Sequence, residues 1–373
     1  MRVIHIIHNL DRAGAQKSLA SLLRGLSRQD GEHLVFAWKR TGPVARDIDL
    51  TGVEIVEGPG RFLKAVGQLN RLIRTFHADL LHAHMEDAAS LAALAQLRTR
   101  RPYVVTFHDG TKLVPDLPPI KKIIRKQALA WSAGRASTVI GVRGELKPLI
   151  VSGLGVPAER LKTLPACVEI PNSYDVKAAA AARATAQGPL RILAVARHVP
   201  LKRHDILIDA VAELGRRGIP CEATILGDGP LLADNRERAK AVIPPAHIHL
   251  PGASDQVADH LKEAHIFVNS SEYEGTSMSI LEAMSWRIPV IASDVPGNRE
   301  LVRLGKTGYS FPLSSPSALA GRIIEATSTD NSTIVETAAQ TVEDQFSADA
   351  LAWQHLTLYH TLCNSRGEAE PHG

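Results

Sequence analysis

Two carboxylates, Glu274 and Glu282, lie on either side of a run of small polar residues in the second half of the chain. Backbone N–H groups at the start of a helix have no partner within the helix and suit a phosphate. Ionised carboxylates only accept hydrogen bonds, so they favour hydroxyl donors. Together these groups predict a ligand with a phosphate flanked by hydroxyls, which is the composition of a nucleoside diphosphate sugar. The alternative is that both glutamates are ordinary solvated acids.

The apolar pattern places this run between a strand and a helix. Residues 265–269 form an apolar run typical of a buried strand, and apolar residues at helical spacing begin at Ile280. Ser277 is the predicted helix N-cap. A second apolar run at 288–292 is followed by another polar loop. We therefore expect both loops at the carboxyl edge of an open parallel sheet, where such folds bind ligands.

Two cations, Arg197 and Lys202, follow an earlier strand predicted at 190–196. We expect Lys202 to open the next helix. Positive charge at a strand end and a helix start neutralises the charge that develops on a departing diphosphate. The alternative is a coincidental pair of surface cations.

Strands alternate with helices along most of the 373 residues, which predicts βαβ units and parallel sheets. The length favours two domains. We therefore predict an α/β protein with two Rossmann-like domains and a cleft between them. The predicted segments are a first domain at 1–170, an alanine-rich linker at 171–189, a second domain at 190–345, and a final helix and tail at 346–373.

The first domain opens with a strand, a loop around Gly14 and a helix, but it lacks the G-x-G-x-x-G pattern of a dinucleotide site. His82 and His84 share one face of a strand and could bind a metal, although no third ligand is spaced to join them. His108 follows another strand, where its imidazole can hydrogen-bond a sugar hydroxyl or a leaving phosphate. The alternative for His108 is an incidental loop histidine.

Composition excludes several classes of function. The net charge is only +4 and aromatic residues make up 4%, which argues against nucleic acid as a partner. Three widely separated cysteines predict neither a disulfide framework nor a zinc site. No apolar run reaches the roughly 18 residues of a membrane span, and a strand pattern starts at Met1 without a signal peptide, so we expect a cytoplasmic protein.

A basic amphipathic helix is predicted at 119–131, where prolines precede alternating lysines and isoleucines. Such a helix can bind an anionic membrane surface, so one interpretation is docking on the inner face of the plasma membrane. The other interpretation is a surface helix with solvated lysines.

Several segments of the second half occur in the order and spacing of one family. The run Glu274-Gly275-Thr276-Ser277, the segment 281–284 and the segment 289–293 resemble the E-x7-E signature of retaining glycosyltransferases of family 4, which have the GT-B fold. The turn at 227–230, Gly-Asp-Gly-Pro, resembles another segment of that family. The resemblance extends, more loosely, to the first half of the chain.

The resemblance implies a role for each matching residue. Glu274 would lie beside the donor sugar, Glu282 would bind the ribose, and Arg197 and Lys202 would hold the pyrophosphate. His108 would contact the donor sugar from the first domain. The implied catalytic residues are His108, Arg197, Lys202 and Glu274, and the implied nucleotide-sugar-binding residues are Gly14, Gly227, Gly275, Thr276, Ser277, Met278 and Glu282.

The resemblance also implies an activity. A sugar would pass, with retention of configuration, from a UDP- or GDP-sugar to a glycan or lipid-linked acceptor in bacterial surface polysaccharide or glycolipid assembly. No metal or other cofactor is implied, and the final helix would cross back to the first domain. The chain departs from the family pattern at Arg143 and at 166–169. Rival interpretations are a non-catalytic GT-B binding subunit and a GT-B epimerase or phosphorylase.

Overall fold

The computed structural model describes residues 1–108 and 118–364, and the chain divides into two compact units. The first unit consists of Met1–Val168 with the segment from Gln345 onward, and the second consists of Glu169–Asp344. Within the described residues each unit is built around one sheet, and every strand pairing in both sheets is parallel. The predicted α/β class with two Rossmann-like domains is therefore confirmed.

The strands are short and mostly buried, as expected for parallel sheets covered on both faces. Those of the first unit are β1 (Arg2–Asn9), β2 (Glu32–Arg40), β3 (Glu54–Glu57), β4 (Leu80–His84), β5 (Tyr103–Phe107), β6 (Thr138–Gly141) and β7 (Leu161–Thr163). Those of the second unit are β8 (Leu190–Val195), β9 (Cys221–Leu226), β10 (Ala246–Gly252), β11 (Ile266–Asn269), β12 (Val290–Ser293) and β13 (Tyr309–Phe311).

Helices connect most of the strands and cover the sheets. In chain order they begin with α1 (Gly14–Leu26), α2 (Ala45–Asp49), α3 (Phe62–Thr75), α4 (Glu86–Thr99), α5 (Pro119–Arg135), α6 (Leu146–Pro148), α7 (Ser173–Thr185) and α8 (His204–Arg216). They continue with α9 (Leu232–Ala239), α10 (Val257–Glu263), α11 (Met278–Ser285), α12 (Pro296–Arg299), α13 (Pro316–Ser328), α14 (Ser332–Phe346) and α15 (Ala348–Asn364). A π-helical turn (Leu149–Gly153) and two 3₁₀ turns (Ala158–Arg160 and Pro200–Lys202) complete the helical segments of the described chain.

In each sheet, successive strands are first added on one side and then on the other, so the order of addition reverses at one point. The orders are β3-β2-β1-β4-β5-β6-β7 in the first unit and β10-β9-β8-β11-β12-β13 in the second. The reversal falls between β1 and β4 in the first sheet and between β8 and β11 in the second. Loops that leave two such strands diverge at the carboxyl edge, and the crevice between them is the usual binding site of an open α/β sheet.

The segment predicted as a linker, 171–189, differs from that expectation because it contains helix α7 and belongs to the second unit. The side-chain oxygen of Asn172 caps the helix by accepting a hydrogen bond from the backbone of Tyr174 at 2.8 Å. The Arg183 guanidinium donates to the carbonyl oxygens of Lys262 at 3.2 Å and Trp286 at 3.0 Å. Alanine has the highest helix propensity, so the alanine-rich composition that suggested a linker instead favours a docked helix.

The closing helix α15 packs within the first unit. Leu351 and Tyr359 are fully buried in the same apolar cluster as residues of α1 and β1. Arg28, which follows α1, pairs with Asp349 at 2.9 Å. The remainder of the predicted tail, residues 365–373, lies outside the described residues. Among the helices that the structure describes, none combines the length and the apolar character needed to cross a membrane.

Candidate functional site

The strand order of the second sheet explains why Lys202 and Glu274 meet although 72 residues separate them. Strands β8 and β11 are neighbours, with Leu193 beside Phe267. Lys202 follows β8 and Glu274 follows β11, so both lie in loops at the reversal point of the sheet. The Lys202 ammonium donates to Oε1 of Glu274 at 2.7 Å. The sequence placed each residue at a strand end, and the topology brings the two ends together.

Glu274 is held by two further donors. Oε1 also accepts hydrogen bonds from the Asn269 amide at 2.9 Å and from the Ser271 hydroxyl at 2.6 Å. The Glu274 side chain is only 7% exposed. Removing a carboxylate from water costs several kcal/mol unless it is paired and hydrogen-bonded, and three donors, one of them a cation, meet that requirement. The carboxylate is therefore fixed in one position at the edge of the sheet.

The segment after Glu274 leads into helix α11 as the sequence predicts, with one difference. Ser277 occupies the N-cap position, but its side chain makes no capping hydrogen bond. Its hydroxyl instead accepts from the Asn269 amide at 3.2 Å. The N-cap hydroxyl therefore leaves the first backbone N–H groups of α11 to other partners. Gly275 and Thr276 are half-buried between Glu274 and the helix.

Two other predicted residues lie on α11 itself. Met278 is the first residue of the helix and is buried, whereas Glu282, one turn further along, is half-buried. The side chain of Glu282 thus borders the surface close to the amino-terminal end of the helix. Its predicted contact with a ribose stays a prediction.

The predicted cations occupy different environments. Lys202 ends the 3₁₀ turn Pro200–Lys202, and α8 starts only at His204, so the expectation that Lys202 opens the helix is wrong. Arg203, in a left-handed conformation with a φ of 46°, separates the turn from the helix. Arg197 follows β8 and is exposed. Its side chain is accessible to an anionic group, while the Lys202 ammonium is partly exposed and donates one of its three N–H groups to Glu274.

The backbone of the turn that follows β9 requires a glycine at position 227. A Cβ atom added to Gly227 would lie 2.0 Å from the carbonyl oxygen of Ala196, and the φ of this residue is 147°. A Cβ atom on Gly229 would lie 2.3 Å from the carbonyl oxygen of His198. The glycines thus allow this turn to approach the backbone that carries Arg197. The turn shapes the loop, and contact between Gly227 and a nucleotide stays a prediction.

The structure places Gly14 and His108 on the first unit. Gly14 is the first residue of α1 and is exposed. His108 directly follows β5, is half-buried and has its ring 6.1 Å from the ring of His84. Both residues therefore lie at the carboxyl edge of the first sheet, as the sequence predicts, and their contacts with a donor sugar stay predictions.

A cluster of buried histidines behind this edge was only partly visible in the sequence. His5 on β1 supplies the third nitrogen that the pair His82 and His84 lacked, and the three ligand atoms lie within 4.8 Å of one another. Protein groups already satisfy most of these nitrogens. His5 contacts His84 at 3.2 Å and His33 at 3.1 Å, while His82 contacts the hydroxyls of Tyr359 at 2.6 Å and Thr106 at 2.7 Å. Burial lowers the pKa of His5, His82 and His84 well below the ordinary value.

These histidines therefore form a neutral, hydrogen-bonded core of the first unit. The sequence could have suggested the role of His5 through the apolar strand around it, but the pairing of β1 with β4 was needed to place it beside His82.

Both departures from the family pattern have structural explanations. Arg143 is buried at the end of β6 and pairs with Glu145 at 3.0 Å. In the segment 166–169, the backbone N–H of Cys167 donates to the Ser18 hydroxyl at 3.2 Å, and Val168 forms a parallel bridge with Ser347. This segment thus ties α1 to the start of α15 within the first unit.

Comparison with known proteins agrees with the fold. Residues 12–170 match the family profile described as Glycosyltransferase Family 4, and residues 176–343 match the profile described as Glycosyl transferases group 1. The chain belongs to glycosyltransferase family 4. The two profiles meet close to the boundary between the two units, so each half of this glycosyltransferase corresponds to one unit.

Individual relatives of this family 4 glycosyltransferase match over most of its length. A Bacillus subtilis protein, EpsF, whose name describes it as a glycosyltransferase, is 25% identical over 362 residues, covering 91% of this chain and 92% of EpsF. The phosphatidyl-myo-inositol mannosyltransferase of Mycobacterium tuberculosis is 26% identical over 306 residues, covering 78% of this chain and 76% of that protein. The crystal structure of Anabaena Alr3699/HepE with UDP and glucose has a TM-score of 0.78 at 19% identity, covering 97% of this chain and 100% of that one. The fold is accordingly the GT-B fold.

Proposed function

We propose that this family 4 glycosyltransferase transfers a sugar, with retention of anomeric configuration, from a UDP- or GDP-sugar to a glycan or lipid-linked acceptor. The observation that carries the proposal is the partly buried contact between Lys202 and Glu274 at the carboxyl edge of the second sheet. A cation and a carboxylate lie within 2.7 Å of each other beside the first turn of α11. A cation in this position can pair with the diphosphate of a nucleotide sugar, and the carboxylate beside it can accept from the hydroxyls of the sugar.

The proposed donor contacts follow from the chemistry of each group. The backbone N–H groups at the start of α11 bind the pyrophosphate, since the helix N-terminus carries partial positive charge. Exposed Arg197 and the ammonium of Lys202 neutralise the charge of the leaving group. Glu274 accepts from a hydroxyl of the sugar, and Glu282 accepts from the ribose hydroxyls.

The proposed reaction is a same-face substitution. The bond between the anomeric carbon and the phosphate oxygen breaks, and its electron pair stays on the nucleoside diphosphate. An acceptor oxygen forms the new bond on the same face, and its proton passes to the departing phosphate. The protein supplies electrostatic stabilisation and alignment in this scheme, so no protein nucleophile is required.

We further propose that no divalent metal takes part in donor binding. Lys202, Arg197 and the start of α11 supply positive charge at the place where a metal would otherwise bridge the phosphates. Turnover is expected to be unchanged by EDTA. Loss of turnover in EDTA, restored by Mg²⁺ or Mn²⁺, would show that the cations of the protein are insufficient.

The proposed setting is the assembly of a bacterial surface polysaccharide or glycolipid. The names of the relatives support this class of acceptor, because they include a mannosyltransferase acting on phosphatidyl-myo-inositol and proteins of colanic acid biosynthesis. The UDP and UDP-glucose bound to Alr3699/HepE favour UDP-sugars as the first donors to assay.

Calorimetric titration with UDP, GDP and ADP tests the donor site directly. The protein is expected to bind UDP or GDP in preference to ADP. Glu282→Ala should weaken that binding about tenfold or more, since a hydrogen bond to a charged group contributes about 1.5–3 kcal/mol. Glu263→Ala, which removes an exposed glutamate at the end of α10, is the matched control. Equal affinity of Glu282→Ala and the unaltered protein would contradict the ribose assignment.

Product analysis tests the reaction itself. The protein is incubated with lipid extracts as acceptors and with UDP-glucose, UDP-galactose or GDP-mannose as donor. We expect release of the nucleoside diphosphate and a product in which NMR shows the anomeric configuration of the donor. An inverted product would contradict the same-face mechanism. Nucleotide binding without release from any donor would favour the non-catalytic subunit instead.

We also propose that helix α5 docks on an anionic membrane at the cytoplasmic face. Ile120, Ile123 and Ile124 are 74%, 57% and 61% exposed, which is unusual for three neighbouring isoleucines of one helix. Lys121 and Lys122 are exposed on the same turns. Apolar side chains beside ammonium groups match the chemistry of an anionic leaflet.

Sedimentation with vesicles distinguishes docking from simple solvation of α5. Binding is expected to vesicles of phosphatidylcholine with phosphatidylglycerol, to be weaker with phosphatidylcholine alone, and to fall at high salt. Ile123→Asn with Lys122→Glu should abolish it, whereas Lys240→Glu on the second unit should not. Equal sedimentation of the α5 variant and the unaltered protein would refute docking through this helix.

A further inference from the structure

A buried polar network lies behind Glu274 in the second unit. Asn269, Ser271, Ser293 and Asn298 are each no more than 5% exposed. They come from the ends of β11 and β12 and from α12, three elements that meet at the carboxyl edge of the sheet. Buried polar groups are nearly always hydrogen-bonded, and the partners they choose fix their orientation.

Asn298 is the far end of this network. Its side-chain NH₂ donates to Oδ1 of Asn269 at 3.3 Å, to the Ser293 carbonyl oxygen at 3.1 Å and to the Ser293 hydroxyl at 3.0 Å. The Ser293 hydroxyl in turn donates to the carbonyl oxygen of Ser271. Asn298 therefore joins the loop after β12 to the loop that carries Glu274.

The amide of Asn269 is oriented by its partners. Oδ1 accepts from the Ser271 backbone N–H at 3.1 Å as well as from Asn298. Since both of these groups are donors, the oxygen must face them and the NH₂ group must face the other way. That group donates to Glu274 at 2.9 Å and to Ser277 at 3.2 Å. One amide thus holds both the carboxylate and the start of α11.

We propose that Asn298 and Asn269 are positioning residues that fix the Glu274 carboxylate relative to the first turn of α11. The proposal rests on the role proposed for Glu274 at the donor sugar. Asn298 reaches Glu274 only through Asn269, so it acts on the reaction without touching the donor. Glu274 is hydrogen-bonded to the network through Asn269 and is paired with Lys202. Asp294 and Arg299, which flank Ser293 and Asn298 in the chain, pair with each other at 2.6 Å.

Asn298→Asp tests the relay with almost no change in shape. An ionised aspartate has no N–H to donate and places an oxygen against Oδ1 of Asn269. We expect kcat to fall about tenfold or more, measured as release of UDP or GDP from the nucleotide sugar that the unaltered protein uses. The Kd for UDP or GDP should change less than about twofold. Lowering the pH should restore part of the lost kcat, because a protonated carboxyl group can donate again.

Asn331→Asp is the matched control. Asn331 lies in the same unit and donates to the carbonyl oxygens of Ala326 at 2.7 Å and Thr329 at 3.0 Å, outside the network. This variant is expected to lower the melting temperature without changing kcat or its pH profile. If Asn298→Asp behaved in the same way, the network would have a structural role only.

Two further measurements separate the possible failures. A crystal structure of Asn298→Asp is expected to show Glu274 moved away from Ser271 and the Asn269 amide turned, and unmoved side chains would overturn the relay even without turnover data. Glu274→Gln is expected to lose most turnover. Full activity of Glu274→Gln would refute the proposed role of Glu274, whereas an inactive Glu274→Gln beside a fully active Asn298→Asp would refute only the positioning relay.

Discussion

Replacing Lys202 by methionine should destabilise the second unit, because it leaves a buried carboxylate without its cation. Glu274 is 7% exposed and Lys202 is 24% exposed at the side chain. Removing one partner of a fully buried ion pair costs about 3–5 kcal/mol. Partial exposure of Lys202 and the two remaining donors to Glu274 reduce this cost, so we expect about 2–3 kcal/mol.

A double-mutant cycle isolates the interaction from the effect of each single substitution. Unfolding in denaturant would be measured for Lys202→Met, Glu274→Gln and the double variant. Glutamine keeps the acceptor oxygen for Asn269 and Ser271 but removes the charge, so the loss of Lys202 should matter less in that background. We expect a coupling free energy of about 1–2 kcal/mol between the two sites.

An exposed pair provides the comparison. Lys262 and Asp259 are 3.1 Å apart, with side chains 45% and 63% exposed. Solvent-exposed pairs on helices contribute little, so the same cycle on this pair should give less than about 0.5 kcal/mol. A coupling free energy below about 0.5 kcal/mol for Lys202 and Glu274 would show that the two charges act independently. It would refute the argument that burial strengthens this ion pair.

Two other perturbations test the surroundings of the site. Gly227→Ala is expected to destabilise the protein by more than about 3 kcal/mol in thermal unfolding, since its Cβ atom would lie 2.0 Å from the Ala196 carbonyl oxygen. The control is Gly218→Ala, whose Cβ atom would have no neighbour within 4 Å and which should cost about 1 kcal/mol. Burial, with a smaller contribution from His198, lowers the pKa of His204 to about 4. The folded state therefore keeps this imidazole neutral while the unfolded chain binds a proton, so the contribution of His204 to stability is complete above about pH 6.5 and falls by up to about 3 kcal/mol as the pH drops to about 4. His204→Asn should flatten that dependence, and an unchanged pH profile of unfolding would contradict it.

The fold class, and the placement of the predicted site residues after their strands, follow from the sequence alone. Strand and helix periodicities are local, so the alternation that predicts parallel sheets can be recognised without any tertiary contact. The segments around Glu274 and Glu282 occur in the spacing of the family, and Arg197 follows its strand as expected. Gly227 is required by the close approach of two loops, which agrees with its place in the family turn.

Which side chains meet becomes apparent only in the folded protein. The contact between Lys202 and Glu274 depends on β8 and β11 being neighbours, and strand order is not encoded in local periodicity. Nothing in the sequence distinguishes Asn269 or Asn298, because only burial in the folded protein obliges each amide to find partners. The alanine-rich segment at 171–189 contains helix α7 and belongs to the second unit, and helix propensity alone does not reveal what that helix packs against. Residue types and local order are therefore properties of the sequence, whereas contacts across strands depend on the order and register that the folded sheet imposes.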